Sequence, residues 1–535
     1  MMEYWNDVKE KETKILLNPS FHHSSIPLFQ LRSEAELSSF SGIGPVYLVG
    51  GSLRDRILNR PSNDHDFAVP GNARAFAERV AAKLGVRMIE MGKEDKVVYR
   101  VVSGDKILDF SAIHGKTIED DLKRRDFTIN GLGFDLFSDS PRGRRPLRAD
   151  LRLGEARAYA SERGLIDPVG GLDDIRSKTI RLISEDAILA DPLRMLRAFR
   201  LAAVLGFKIA PQTLSVIKEQ AALVAGSAGE RIRAELLKIM EAERSFPYIE
   251  QMFRAGLLMK LIPELEPCRE CLLNDHAYDV FQHVMRTYEE IEIVLSDYPT
   301  LWPEYAEPIR SYLEQGNRKA LLKLAALLHD LGKPATRSVD LRPGRRRLRF
   351  LAHEEKGADI ARGLCLRLRM SGQERSYIEL IVQNHLHPLL LFDARQRGTL
   401  TTRGIVRFIR KHKDDVIGLL LHSVADQRAK AGNSTEFDEA LVAFLKEILQ
   451  RYFSDLKPTM TAPRLITGKE LMEHFGLTPS ELFGKLLQKV EEARLNREIR
   501  TKEEAFELVA RLLELEGDAG IEPATPSSGG LCSIR

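Results

Sequence analysis

Two periodicities divide this chain. From Pro45 to Phe137, short β-rich runs (VYLVG, DHDFAV, VVYRVV, KILDFSAI and TINGLGFDL) alternate with helical stretches such as NARAFAERVAAKLG. That alternation predicts a small domain of strands and helices. From Ile166 onward, apolar residues recur with the 3.6-residue period of helices, as in LLKLAALLHDLGK, HEEKGADIARGLCLRLRM and FDEALVAFLKEILQRYF. A strand-bearing head followed by an all-helical remainder makes the fold class α+β. Breakers at 225–229, 297–308, 342–347 and 458–463 mark boundaries or long loops. Residues 1–40 are polar and weakly periodic, an expected extension. Residues 41–164 form the head, with an arginine-rich insert at 138–164 that reads as a loop with some helix. Helical segments follow at 165–260, 261–435 and 436–515, and the Gly/Pro/Ser-rich stretch 516–535 is expected to be disordered.

Composition narrows the class. At 535 residues the chain exceeds what one core supports, so several domains are expected. A 43% hydrophobic and 29% charged composition is that of an ordinary globular protein. Lys+Arg 80 against Asp+Glu 77 leaves only +3, so a nucleic-acid surface has to come from local clustering. Four cysteines (Cys268, Cys271, Cys365, Cys532) make no disulfide framework for this length. Cys268 and Cys271 form a lone CxxC without a second pair at zinc-site spacing, so ordinary thiols are expected. With no apolar run of membrane length and no signal-peptide start, a cytoplasmic protein is expected.

The first candidate chemistry lies in VYLVGGSLRDRILNRPSNDHDFAV, residues 46–69. An apolar strand ends at Gly50-Gly51 and a helix begins near Ser52, a turn where a triphosphate can approach backbone amides. Arg54 falls in the first helical turn, within reach of a phosphate. Asp64 and Asp66 stand two apart in a strand and so project from one face, where paired carboxylates can hold divalent ions. Asp109 in KILDFSAI is the candidate third carboxylate; the alternative is a strand-end residue satisfied by an arginine. In DDLKRRDFTINGLGFDL (120–136), Arg124 and Arg125 suit a triphosphate because the guanidinium fork donates two parallel hydrogen bonds. Asp126 and Asn130 are candidates for orienting arginines or binding ribose hydroxyls. Residues 187–203 read as a helix opening at Asp191-Pro192. Along it Asp191, Arg194, Arg197 and Arg200 recur every three residues, drifting about halfway round the helix, so they cannot share one flat face. Asp191 and Arg194 are candidates for reading a base edge, and Arg197 and Arg200 for phosphate or RNA contact. A charged outer stripe is the alternative.

This ordered set resembles the class II nucleotidyltransferases, the CCA-adding enzymes and bacterial poly(A) polymerases. The motifs are GGSLRD with DHDF, RRDFTIN, DPVGGLDDI (167–175), DPLRMLRAFR and GERIRAEL (229–236). The resemblance implies a small five-stranded nucleotidyltransferase head followed by helical neck, body and tail. It implies Mg2+ on Asp64 and Asp66, triphosphate on Gly51, Arg54 and Arg125, and Asp191 with Arg194 as a protein template for CTP or ATP. Two positions depart from the pattern: Ala190 stands where many members have Glu, and Gly131 where Ala is usual. The region after Asp66 lacks the basic run usual in poly(A) polymerases, which favours the tRNA branch. The short stretch from Asp109 to Arg124 is expected to influence switching from CTP to ATP.

A second set is His283, His329-Asp330, His353, His385, His387 and Asp426. Nitrogen and carboxylate ligands on separate helices are a common way to build a metal site in a bundle. The ordered H…HD…H…H…D set resembles the HD metal-dependent phosphohydrolases. That resemblance implies His283, His329, Asp330 and Asp426 as ligands, His353 with His385 or His387 at a second ion, a transition-metal divalent ion there, and Lys333 assisting a phosphate. The segment 465–513 resembles the tRNA-contacting tail of such enzymes, with Arg464, Lys469, Lys485 and Lys489 as candidate phosphate contacts or simply a solvated face. The expected function is addition of C, C and A to tRNA from CTP and ATP, with tRNA as partner and no membrane. The rivals are poly(A) addition, addition of A or CC alone, and an activity residing chiefly in the HD site.

Overall fold

A computed structural model describes residue 40 and residues 43–92, 97–136, 164–273, 278–342, 345–430, 434–478, 481–495 and 498–517. The expected arginine-rich loop (but for Gly164), most of the N-terminal extension and nearly all of the expected disordered tail lie outside the described residues. The chain divides into two compact units, Met1–Pro263 and Glu264–Arg535.

The first unit is built on one mixed sheet of seven strands in the order β3-β4-β5-β2-β1-β6-β7. Its strands are β1 (Tyr47–Val49), β2 (Asp64–Val69), β3 (Met88–Met91), β4 (Val98–Ser103), β5 (Lys106–Ala112), β6 (Gly133–Asp135) and β7 (Leu165–Ile166). The resemblance implied five. The short β6 and β7 extend the sheet beyond β1 by antiparallel pairing. Only β2 and β5 run parallel. Alternation sorts β2 cleanly: His65 and Phe67 are buried while Asp64 and Asp66 face out. Phe67 stacks on Phe110 at 5.1 Å, and Phe76 of helix α2 (Ala73–Leu84) joins them. Phe40, assigned to the extension from sequence, is fully buried in this aromatic core and meets Phe67 edge-on at 5.2 Å. On the other face, Val49 and Ala68 pack against Ile118 and Leu122 of α3 (Ile118–Lys123). Helix α3 starts with a capping box between Thr117 and Asp120. Helix α1 (Gly50–Ile57) follows β1 directly.

The rest of this unit is helical. Helix α4 (Gly171–Arg176) begins where Asp167 accepts hydrogen bonds from the Gly171 and Leu172 amides. Gly171 admits no side chain, since a Cβ would lie 2.3 Å from the Thr128 carbonyl. The helix expected over 187–203 is two: α5 (Asp186–Ala190) and α6 (Arg194–Leu205). Extended backbone at Asp191 (φ −153°) separates them, because Pro192 disfavours helical geometry in the residue before it. Helix α7 (Gly229–Glu241) packs on α6. The two-residue strands β8 (Thr179–Ile180) and β9 (Lys208–Ile209) pair in parallel.

The second unit is a helical bundle. Helix α8 (Val280–Leu301) packs on α9 (Arg318–Leu328) and α14 (Val416–Arg428). Between them in sequence come α10 (His353–Arg367), α11 (Gly372–Asn384), α12 (His387–Gln396) and α13 (Thr402–His412). The body is not wholly helical: β10 (Arg337–Arg342) and β11 (Arg345–Phe350) form an antiparallel hairpin. Its strands, RSVDLR and RRRLRF, alternate polar and apolar residues around Pro343-Gly344, which is strand rather than helix chemistry. C-terminal helices α15 (Gly468–Phe475), α16 (Glu481–Leu495) and α17 (Lys502–Gly517) share a core of Leu471, Leu486, Val490, Ala505 and Val509. Among the described residues no helix is long and apolar enough to cross a membrane.

Candidate active site and metal centre

In the first unit the sheet register brings the acids together. Asp66 lies directly across from Asp109 on the parallel neighbour β5, and Asp64 is two residues earlier on the same face. Asp66 carries a raised pKa: loss of water around it is the largest cause, opposed by Arg125 and reinforced by Asp109 and Asp64. Three oxygen-donor groups at adjacent positions on one open face fit a hard divalent ion such as Mg2+. Asp109 is not free, however. Arg100 on β4, directly opposite it, makes a bidentate ion pair with Asp109 at 2.8 and 2.7 Å. Asp109 shares the acid face and is paired with an arginine, but at mid-strand rather than at the strand end expected for such a pair. Only the strand register reveals Arg100.

The glycine turn closes over this face. Gly50 adopts φ +74°, and a Cβ there would sit 2.7 Å from the Arg125 guanidinium and 3.4 Å from Asp66. Arg125 is steadied by Asp121 at 3.2 Å. Arg54 is buried, held in a fork by Asp55, and donates to Asn130 at 2.7 Å. Asn130 in turn donates to Asp126 at 2.9 Å, and Arg197 pairs with the other Asp126 oxygen at 3.2 Å. Asp126 and Asn130 here hold arginines, one of the two roles read for them, while the identity of those arginines as Arg54 and Arg197 comes from the packing. Gly51 lies beside Arg54. Gly131 packs tightly as well, since a Cβ would lie 2.6 Å from Val169.

The candidate template residues separate as the helical drift requires. Arg200 pairs with Glu235 at 2.5 Å, Arg194 donates to the Ala187 carbonyl at 3.1 Å, and Asp191 receives Arg231 through bonds of 2.7 and 3.3 Å. Burial pushes the Asp191 carboxyl up, but Arg231 outweighs it and the pKa ends below the usual range. Arg231 lies inside GERIRAEL, so its motif was visible while its partner was not. If Asp191 reads a base edge, Arg231 sets the carboxylate's orientation. Arg231→Ala is then expected to raise misincorporation of UTP and GTP relative to CTP and ATP by about tenfold, the effect of roughly 1.4 kcal/mol. Competition assays on one tRNA acceptor check this, and unchanged fidelity would remove Arg231 from base selection.

In the second unit the HD set converges. His283 on α8, Asp426 on α14 and His329-Asp330 at the end of α9 are all buried. His283 Nε2 lies 2.9 Å from Asp426 and 3.5 Å from Asp330, and His329 Nε2 lies 3.3 Å from Asp330. His353 and His385 approach the other Asp330 oxygen at 3.3 and 3.8 Å. The donors form two potential ion-holding groups sharing Asp330: His283, His329 and Asp330, and Asp330, His353 and His385. His387 is not among them; its Nδ1 lies 3.3 Å from His412. The Nδ1 atoms of His329, His353 and His385 lie 2.7–2.9 Å from the carbonyls of Ala326, Phe350 and Val382. Those carbonyl contacts turn each Nε2 toward the acids, the atom such a histidine offers to a metal. Lys333 reaches Asp330 at 2.6 Å and Lys430 reaches Asp426 at 3.1 Å. Burial opposes charging His329, but Asp330 and Asp426 outweigh it and raise its pKa to about 9. Uptake of an ion by His329 therefore displaces a proton.

Cys268, Cys271 and Cys365 are buried and free, and desolvation raises the Cys268 and Cys365 thiols to about 12. None joins an ion-holding group among the described residues. In the tail, Arg464 is exposed, and Lys469, Lys485 and Lys489 are exposed on ion pairs with Glu473, Glu481 and Glu492.

Comparison with known proteins covers the stretches that carry these residues. A model of the poly A polymerase head domain matches residues 46–181, one of the probable RNA and SrmB-binding site of polymerase A matches 206–269, and one of the HD domain matches 280–406. The chain is 31% identical to the A-adding tRNA nucleotidyltransferase of Deinococcus radiodurans, over 87% of this chain and 95% of that one. It is 29% identical to the CC-adding tRNA nucleotidyltransferase of Thermus thermophilus, over 85% and 91%. It is 31% identical to the multifunctional CCA protein of Actinobacillus pleuropneumoniae, over 74% and 89%. The fold matches the CCA-adding enzyme of Thermotoga maritima complexed with tRNA, at TM-score 0.58 and 19% identity, over 92% of this chain and 99% of that one. The chain thus belongs to the tRNA nucleotidyltransferase family with a poly(A) polymerase head and an HD domain, and it is a nucleotidyltransferase.

Proposed function

We propose that the chain builds the CCA terminus of tRNA from CTP and ATP. The observation that carries this reading is the register placing Asp64, Asp66 and Asp109 on one face beside Gly50 and Arg125. A divalent ion such as Mg2+ on Asp64 and Asp66 would supply charge neutralisation for the triphosphate and help ionise the attacking hydroxyl. Arg125 and the amides of the Gly50-Gly51 turn hold the phosphates in line with the tRNA 3′-hydroxyl. That hydroxyl attacks the α-phosphate, a new P–O bond forms, and diphosphate departs. The residues Asp55, Asn130 and Asp126 fix Arg54 and Arg197 in place, so little reorganisation accompanies the transfer. Asp191 and Arg194 offer acceptor and donor atoms to a base edge.

A second reading, addition of A alone or of CC alone, is favoured by the link at residues 113–117. Its His114 amide donates to Asp121 at 3.1 Å, and the Lys116 and Thr117 amides donate to Asp120 at 3.0 and 3.1 Å. A five-residue link tied at three amides adjusts little between two bases. The Deinococcus and Thermus relatives, which align over 87% and 85% of this chain, are named for such partial additions.

Three tRNA transcripts, ending before CCA, after C and after CC, incubated with Mg2+ and CTP, ATP or both, separate these readings. Ordered addition of C, C and A that then stops is the expected result. Extension of the CC-ended transcript alone means an A-adding enzyme, and arrest after two C means a CC-adding one. Long A tails on any RNA would overturn the tRNA assignment.

A further inference from the structure

His422 stands apart from every residue used so far. It lies one helical turn before Asp426 on α14, so the two project from neighbouring positions of one helix face. Its side chain is fully buried, and neither ring nitrogen has a hydrogen-bond partner among the described residues. Its imidazole stands edge-on to His329 at 5.0 Å and to His385 at 5.9 Å, between the two ion-holding groups. A buried imidazole without a hydrogen-bond partner is costly, and phenylalanine or leucine would fill the volume without that cost. The nitrogen is therefore accounted for by something that enters the cluster.

The two groups also differ in how many protein donors they provide. His283, His329, Asp330 and Asp426 together offer four, whereas Asp330, His353 and His385 offer three.

We propose that His422 is a further protein ligand in this centre, offering a nitrogen to an ion held beside His329 and His385. The proposal rests on reading the helical cluster as a metal centre. It gives the centre seven protein donor residues, with Asp330 shared, and favours a nitrogen-preferring divalent ion over Mg2+ at the second position.

The test is titration of the full-length, metal-free protein with Co2+ alone, followed by visible absorption and by metal content after gel filtration. Wild type is expected to retain two ions per chain. His422→Leu is expected to bind the second at least tenfold more weakly, with altered visible bands. Its metal-free melting temperature should stay at or above that of wild type, since an unpartnered polar group is gone. Should His422→Leu fail to fold, His422→Gln carries the same comparison. A variant that binds both ions with wild-type affinity and spectrum overturns the proposal while leaving the metal centre intact. A wild type that takes up no Co2+ overturns the metal centre and the proposal together, and Asp330→Ala, expected to lose both ions, identifies the centre as the site titrated.

Discussion

Asp66→Asn is expected to lower nucleotidyl transfer to tRNA by about 10³-fold or more, a loss of roughly 4 kcal/mol at the transition state. Asn keeps the side chain's size, so the pairing of β2 with β5 and the stability of the head should change little. What it removes is one of the charges facing Asp64 and Asp109 on the acid face. The carboxylate's pKa is already raised by desolvation and by those two neighbours, so the protein holds Asp66 charged at a cost in the free state. An ion bound there reverses that cost, as a structural carboxylate in a salt bridge would not require. Initial rates on a CC-ended and an unextended tRNA at saturating Mg2+ measure the effect, with the melting temperature as control. A loss below about tenfold would mean that Asp66 holds no ion. Because the HD residues lie in the other compact unit, Co2+ uptake by the variant should equal that of wild type.

Gly332→Ala is expected to disrupt the cluster of candidate metal ligands in the second unit through the backbone alone. A Cβ on Gly332 would lie 2.0 Å from the His353 carbonyl oxygen and 2.6 Å from the Gly357 amide nitrogen. Neither atom is the movable end of a side chain, so α10 has to shift away from the turn that follows α9. Such overpacking costs on the order of 3 kcal/mol. The shift also draws His353 from Asp330, now 3.3 Å away, and so opens the group completed by His385. Loss of at least one bound Co2+ and a lower melting temperature are the expected results. Gly357→Ala offers a graded comparison, because its nearest contact would be 3.3 Å from the Gly332 amide and a small adjustment relieves it. Equal behaviour of the two variants would show that close approach at Gly332 is not what positions His353.

The local pattern decided a good deal of this protein without any tertiary information. Strict alternation in DHDFAV put two carboxylates on one side and Phe67 on the other, since successive strand residues point to opposite faces. Glycines at 50 and 51, the arginines that follow, and a histidine-aspartate step at the end of an apolar helix were equally readable. Each is a short-range requirement of turn, strand or helix. What the sequence could not determine is which partner each polar group meets. Arg100 reaches Asp109 only because β4 pairs with β5 in one register, and Arg231 reaches Asp191 only because α7 packs on α6. His385 was separated from His387, two residues away, by the direction of its ring into the bundle. His422 became visible only when burial showed that its nitrogens have no hydrogen-bond partner among the described residues. The hairpin after His329 was read only as a break at 342–347, and the helix read as opening at Asp191-Pro192 begins at Arg194, with a separate short helix before it. Periodicity and motif chemistry act over a few residues, whereas ion pairing, burial and ligand choice depend on contacts between residues 9 to 143 positions apart. Only packing creates those contacts.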